Sequence, residues 1–145
     1  MSPTALRHEV IGIGYEGRTI AEVVAELRAR RVEVVVDVRL TPLSRKPGFS
    51  KRALAESLAA VGIRYLHLPA LGNPKANRAG FSGDDSAWSE ARMRYETRID
   101  SGVEGGSALR EIARLSETRL VAVLCFEADQ RRCHRDIVLA RLHAK

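Results

Sequence analysis

The run Val32-Glu-Val-Val-Val-Asp-Val38 constrains the fold of this chain more than any other stretch. Most of its residues are β-branched, so it reads as a strand. Its apolar residues are nearly continuous rather than alternating, which marks a strand covered on both faces, as in a parallel sheet. Val10-Ile-Gly-Ile-Gly14, Ile63 to Leu68 and Arg119 to Cys125 are three further strand candidates. Helical segments lie between them. Thr19 and Glu22 form a capping box ahead of the apolar stripe Ile20, Val23, Val24 and Leu27. Ser50 is placed to cap a helix running to about Val61, where Gly62 stops it. A helix from Asp84 or Asp85 to about Asp100 is expected to break at Gly102, Gly105 and Gly106, with another from Ser107 to Glu117 and a last one at the C-terminus. Residues 70–83, rich in Gly, Pro and Asn, read as a long irregular loop of the kind that carries function. Regular alternation of strand and helix predicts an α/β fold, a single domain over residues 1–145 with a mainly parallel sheet and helices on both faces, Rossmann-like.

Composition bounds the function. The net charge is +6, carried mostly by arginine, whose guanidinium forks suit phosphate and carboxylate. Aromatic residues make up only 5%, too few for a stacking platform on single-stranded nucleic acid. No apolar run approaches the roughly 20 residues of a membrane helix, so no membrane partner is expected. Met1-Ser-Pro-Thr4 lacks the apolar core of a signal peptide, which makes the cytoplasm the expected location. There, the two cysteines are expected to be reduced thiols.

Chemistry-bearing residues concentrate in Leu120-Val-Ala-Val-Leu-Cys125-Phe-Glu127-Ala-Asp-Gln-Arg-Arg-Cys133-His134-Arg135, where a strand passes into a helix. Both cysteines lie here with Glu127, His134 and Arg135 beside them. Unpaired N–H groups at a helix start favour anions and lower a thiol pKa, which makes Cys133 a candidate nucleophile. Cys125, at the strand end, is the other candidate, and the sequence does not separate them. Structural zinc favours close Cys-x2–4-Cys pairs, so this spacing assigns no metal ligands, although His67 or Asp37 would be the residues to complete a set. On the second strand, alternation puts Asp37 and Arg39 on one side, followed by a loop with Thr41, Ser44, Arg45, Lys46 and then Lys51. That pair is either an internal ion pair or part of an anion receptor. Gly12-Ile-Gly14-Tyr-Glu-Gly17 matches a dinucleotide-binding fingerprint, with Asp37 twenty residues beyond Gly17, but Glu16 puts a negative charge where a pyrophosphate would lie. Cys125 and Arg131 show a phosphatase-like Cys-x5-Arg spacing, opposed by the acids Glu127 and Asp129 within it.

Taken together these motifs resemble the family called domain of unknown function 488. The resemblance rests on Ile13-Gly14-Tyr15, Val36-Asp37-Val38-Arg39 with Pro42 and Ser44, Phe49, Tyr65-Leu-His-Leu-Pro69 with Leu71-Gly72, and Leu124-Cys125 with Glu127 and Cys133-His134-Arg135. It implies a compact α/β fold with those residues gathered at one crevice, and it implies no reaction.

The expectation is a cysteine-dependent enzyme acting on a phosphorylated or nucleotide-like anion, or on a nucleic-acid component. Cys125 or Cys133 is the nucleophile, His134 the acid/base, and Glu127 or Asp37 the orienting carboxylate. Tyr15, Arg39, Ser44, Lys51 and Arg135 are the expected ligand contacts. The alternatives are a non-catalytic module binding nucleic acid or nucleotide through basic loops, and a redox sensor in which Cys125 and Cys133 pair. The sequence names no cofactor and no oligomeric state.

Overall fold

A computed structural model describes residues 9–143; the N-terminal segment Met1–Thr4 and His8 lie outside the described residues. Four parallel strands form the sheet: β1 (Ile11–Gly14), β2 (Val34–Asp37), β3 (Arg64–His67) and β4 (Val121–Cys125). Their spatial order is β1-β4-β2-β3. The last strand therefore lies between the first two, pairing Gly14 with Cys125 on one side and Leu124 with Asp37 on the other. The loops that leave β1, β2 and β4 adjoin at the carboxyl edge, where an open parallel sheet binds its ligands.

Six α-helices cover the sheet: α1 (Ile20–Ala29), α2 (Lys51–Ala59), α3 (Lys75–Phe81), α4 (Asp85–Asp100), α5 (Val103–Leu115) and α6 (Arg135–His143). Side chains alternate across the sheet and make two cores. Val35, Ala122 and Leu124 meet Val23 and Leu27 of α1 and Leu54 and Leu58 of α2. Val34, Val36, Val123 and Cys125 face the other way, against Tyr95 of α4, Ile112 of α5 and Ile137 of α6. Every residue of β2 and β4 is buried, as their apolar continuity predicts. The capping box of α1 is present: Thr19 Oγ1 accepts from Glu22 N at 3.1 Å and Glu22 Oε1 from Thr19 N at 2.8 Å. Ser50 precedes α2 without a side-chain cap bond. No described helix is long and apolar enough to cross a membrane.

Two expectations need correction. Residues 70–83 are not one irregular loop, because one turn of 3-10 helix (Pro69–Leu71) and helix α3 lie within 69–81. Asn77 and Phe81 anchor α3 by burial, and Asn77 Nδ2 donates to the Ala91 carbonyl of α4 at 2.9 Å, so tertiary packing overrides the weak helix propensity of the segment. Nor do Gly105 and Gly106 break a helix; α5 runs through both. A Cβ on Gly105 would run into the backbone of Ile99, so the glycine permits α4 and α5 to approach closely, at a cost in helix propensity of about 1 kcal/mol.

Candidate functional site

The carboxyl edge of the sheet carries two clusters on opposite faces. On the α1/α2 face stands Asp37, fully buried, held bidentately by Arg39 (Nε to Oδ1 2.9 Å, Nη2 to Oδ2 2.7 Å). Tyr65 donates its hydroxyl to Oδ2 at 2.6 Å and the Arg39 backbone N–H bonds Oδ1 at 3.0 Å. Arg39 Nη1 in turn donates to the Tyr15 hydroxyl at 3.1 Å and the Phe49 carbonyl at 2.6 Å. Burial by itself would lower the Arg39 pKa, but the Asp37 carboxylate outweighs it and the net shift is upward. Burial, then the Asp37 hydrogen bond, raises the Tyr65 phenol. Tyr15 stacks on Phe49 with ring centroids 4.2 Å apart. Of the two sequence readings of this pair, the geometry is that of an internal ion pair, since most of the Arg39 N–H groups are spent inside the protein.

On the opposite face, Cys125, Cys133 and His134 converge. The structure joins Cys125 and Cys133 as a disulfide, where two reduced thiols were expected. Cys133 closes the 3-10 turn Gln130–Arg132 with extended backbone and lies two residues before α6 begins. The Arg135 N–H points to its sulfur at 3.5 Å. Arg135 is buried beneath the loop after β4, with Nη1 donating to Cys125 Sγ at 3.1 Å and to the Glu127 carbonyl at 2.7 Å. Burial lowers its pKa, but a guanidinium remains charged in proteins. His134 Nε2 lies 2.7 Å from the Val38 carbonyl. A carbonyl only accepts, so Nε2 carries the proton and Nδ1 presents a lone pair, 3.7 Å from Cys133 Sγ. Burial lowers the imidazole pKa to about 4, so the ring is neutral at pH 7. The Tyr95 ring packs edge-on against it at 5.2 Å.

The loop bearing Phe126 and Glu127 is latched to the turn after β1. Tyr15 N and Glu16 N both donate to the Phe126 carbonyl, at 3.1 and 2.8 Å, and Glu16 Oε1 accepts from Ala128 N at 3.0 Å. Gly14 lies under this latch, and a Cβ there would collide with the Glu127 carbonyl. The dinucleotide fingerprint thus has another explanation: Gly17 adopts a left-handed turn (φ 75°), Gly12 packs against Gln130 and Leu139, and Glu16 is a loop clasp.

A cavity of about 300 Å³ opens over both clusters, with Cys125, Cys133 and His134 among its lining residues. Tyr15, Phe81 and Phe126 supply apolar wall, and Arg39, Arg45, Arg78 and Arg132 line it together with Glu127 as the single acid. Of the sequence candidates, Tyr15, Arg39, Ser44, Cys125, Glu127, Cys133 and His134 line it. Asp37 is held behind Arg39, Lys51 is exposed on α2, and Arg135 supports the Cys125 sulfur from below. The orienting partner of His134 is a backbone carbonyl rather than Asp37 or Glu127. Glu127 Oε1 lies 4.0 Å from Cys125 Sγ. Arg78, Arg132 and Phe81 escaped the sequence reading. Arg78 and Phe81 sit in the segment read as a loop, and only α3 brings them to the cavity; Arg132 was lost in the spacer between the cysteines.

A family model described as "Domain of unknown function DUF488" matches residues 19–142, most of the chain. No curated protein and no solved structure matches it.

Proposed function

The chain belongs to the DUF488 family, whose description assigns no reaction, and we propose from the site itself that it is a thiol-dependent enzyme acting on a small phosphorylated or nucleotide-like anion. The observation that carries this reading is a cavity lined by the guanidinium groups of Arg45, Arg78 and Arg132, with Glu127 as its one acid, that closes on two sulfurs. Cys125 is the nucleophile. The buried Arg135 guanidinium donates to its sulfur, and a cation at that distance stabilises a thiolate. His134 Nδ1 is the proton acceptor beside Cys133, and Arg78 and Arg132 at the rim supply charge for the substrate anion. The cavity volume suits a mononucleotide-sized ligand or smaller.

The test uses reduced protein and two alkylating probes of similar size, anionic iodoacetate and neutral iodoacetamide. Alkylation forms a carbon–sulfur bond and releases iodide, and mass spectrometry locates the label. The expected result is Cys125 labelled first, a higher iodoacetate-to-iodoacetamide rate ratio than for glutathione, and protection by inorganic phosphate that weakens with salt. Equal ratios for protein and glutathione, with no protection, overturn the proposal. Phosphate-protectable binding that survives Cys125→Ser and Cys133→Ser together favours the non-catalytic binding module instead.

A second reading rests on the sulfur pairing: Cys125 and Cys133 cycle between dithiol and disulfide. Mild oxidation by diamide then removes two hydrogens from the chain, reversibly with a thiol reductant. A chain that stays in the dithiol form under diamide excludes it.

A further inference from the structure

We infer that the reduced protein holds one thiophilic metal ion, zinc(II) by preference, on Cys125 Sγ, Cys133 Sγ and His134 Nδ1 at the floor of the cavity. The inference does not rest on the thiol-enzyme reading. The donor atoms of these three residues all lie within 4.8 Å of one another, and all three side chains are buried. Two thiolates and an imidazole are a donor set matched to zinc.

The surroundings are those of a metal site in three respects. First, a metal-ligating histidine generally gives its other ring N–H to a carbonyl or carboxylate, and His134 gives Nε2–H to the Val38 carbonyl at 2.7 Å. That bond fixes the tautomer with the Nδ1 lone pair toward the sulfurs. Second, both sulfurs have an N–H donor of their own, Arg135 Nη1 at Cys125 and the Arg135 backbone at Cys133, as ligating thiolates do. Third, the Cα atoms of the cysteines stand 7.4 Å apart, so rotation of the two side chains opens the sulfurs around an ion held at about 2.3 Å from each.

Close cysteine pairs belong to closed, four-ligand zinc sites. The structure presents the other kind, three protein ligands with a fourth position open to the cavity. Arg78 and Arg132 lie where an anion filling that position would be met by positive charge. Metal occupancy and the Cys125–Cys133 disulfide are mutually exclusive, and a bound ion caps both thiols.

The experiment titrates cobalt(II) into the reduced, chelator-washed full chain and follows thiolate-to-cobalt charge-transfer absorption, with zinc(II) added as competitor. The expected outcome is one ion per chain, displaced by zinc, and absent after diamide oxidation of the same wild-type protein. Cys125→Ser and Cys133→Ser should each abolish the charge-transfer band, His134→Gln should weaken binding by about 10-fold or more, and Arg110→Ala, remote on α5, should leave it unchanged. A reduced wild-type chain with no charge-transfer band overturns the inference, as does a band that persists in the oxidised chain or in both cysteine variants. Because the wild-type protein supplies the redox comparison, a variant that fails to fold does not rescue the idea. Alkylation of the chelator-treated chain reads the thiol proposal independently, so either can fail while the other stands.

Discussion

Removal of the Asp37 carboxylate is the sharpest test of how this crevice is held together. Asp37 has no solvent exposure and Arg39 is 4% exposed, so neither charge is relieved by water. Their fork is bidentate, and the Tyr65 hydroxyl and the Arg39 backbone N–H occupy further lone pairs of the carboxylate. Asp37→Asn strands a buried guanidinium with a neutral amide, and Arg39→Met strands a buried carboxylate. Breaking one partner of such a pair costs about 3–5 kcal/mol. With a urea dependence of about 2 kcal/mol per molar for a domain of this size, the midpoint should fall by about 2 M. The double variant Asp37→Leu/Arg39→Met removes both charges and should recover much of that loss, because a buried pair replaced by apolar groups is often neutral. Urea unfolding followed by circular dichroism, at one fixed redox state, gives the full double-mutant cycle. Single losses below about 1 kcal/mol, or strictly additive losses, would refute the reasoning that the pair is desolvated and mutually dependent.

Three other outcomes are expected. Gly14→Ala drives a methyl into the Glu127 carbonyl and should cost about 1–3 kcal/mol while displacing the Phe126–Glu127 wall, read as a lower melting temperature together with altered Cys125 alkylation. Tyr95→Phe removes the hydroxyl that donates to the Leu71 carbonyl at 2.6 Å, leaving that carbonyl unpaired at about 1–3 kcal/mol, which thermal unfolding should register. The His134 pKa falls on folding from 6.5 to about 4 because the ring is buried. Above pH 6.5 neither state binds the proton and there is no penalty, whereas below it the unfolded chain protonates first. Stability should therefore decline from about pH 6.5 toward pH 4, by roughly 3 kcal/mol from this group, and a wild-type decline no steeper than that of His134→Gln would contradict the assignment.

Sequence and structure divide the account along a physical line. Strand burial is a local property, since a run such as Val32 to Val38 must be covered on both faces wherever it goes. The parallel sheet, the capping box at Thr19 and the gathering of Cys125, Cys133 and His134 near a helix start were legible for that reason. The resemblance to the DUF488 family was likewise carried by short motifs. Partners across the sheet are not local. Alternation put Asp37 and Arg39 on one side of the second strand, but only the register that pairs Asp37 with Leu124 of β4 sends them to the face opposite the cysteines. The same topology gives His134 a backbone carbonyl in place of a carboxylate. Helix α3 was hidden because it is short and the Gly, Asn, Pro and Ser residues on either side of it favour turns, and its stability comes from Asn77 and Phe81 buried against α4. With it went the cavity arginine Arg78, whose role exists only once the chain has packed. The sequence by itself determined which chemical groups this protein owns and which segments must be buried. The tertiary structure decided which groups face each other, because charge pairing and thiol chemistry depend on distances of a few ångströms that chain spacing does not specify.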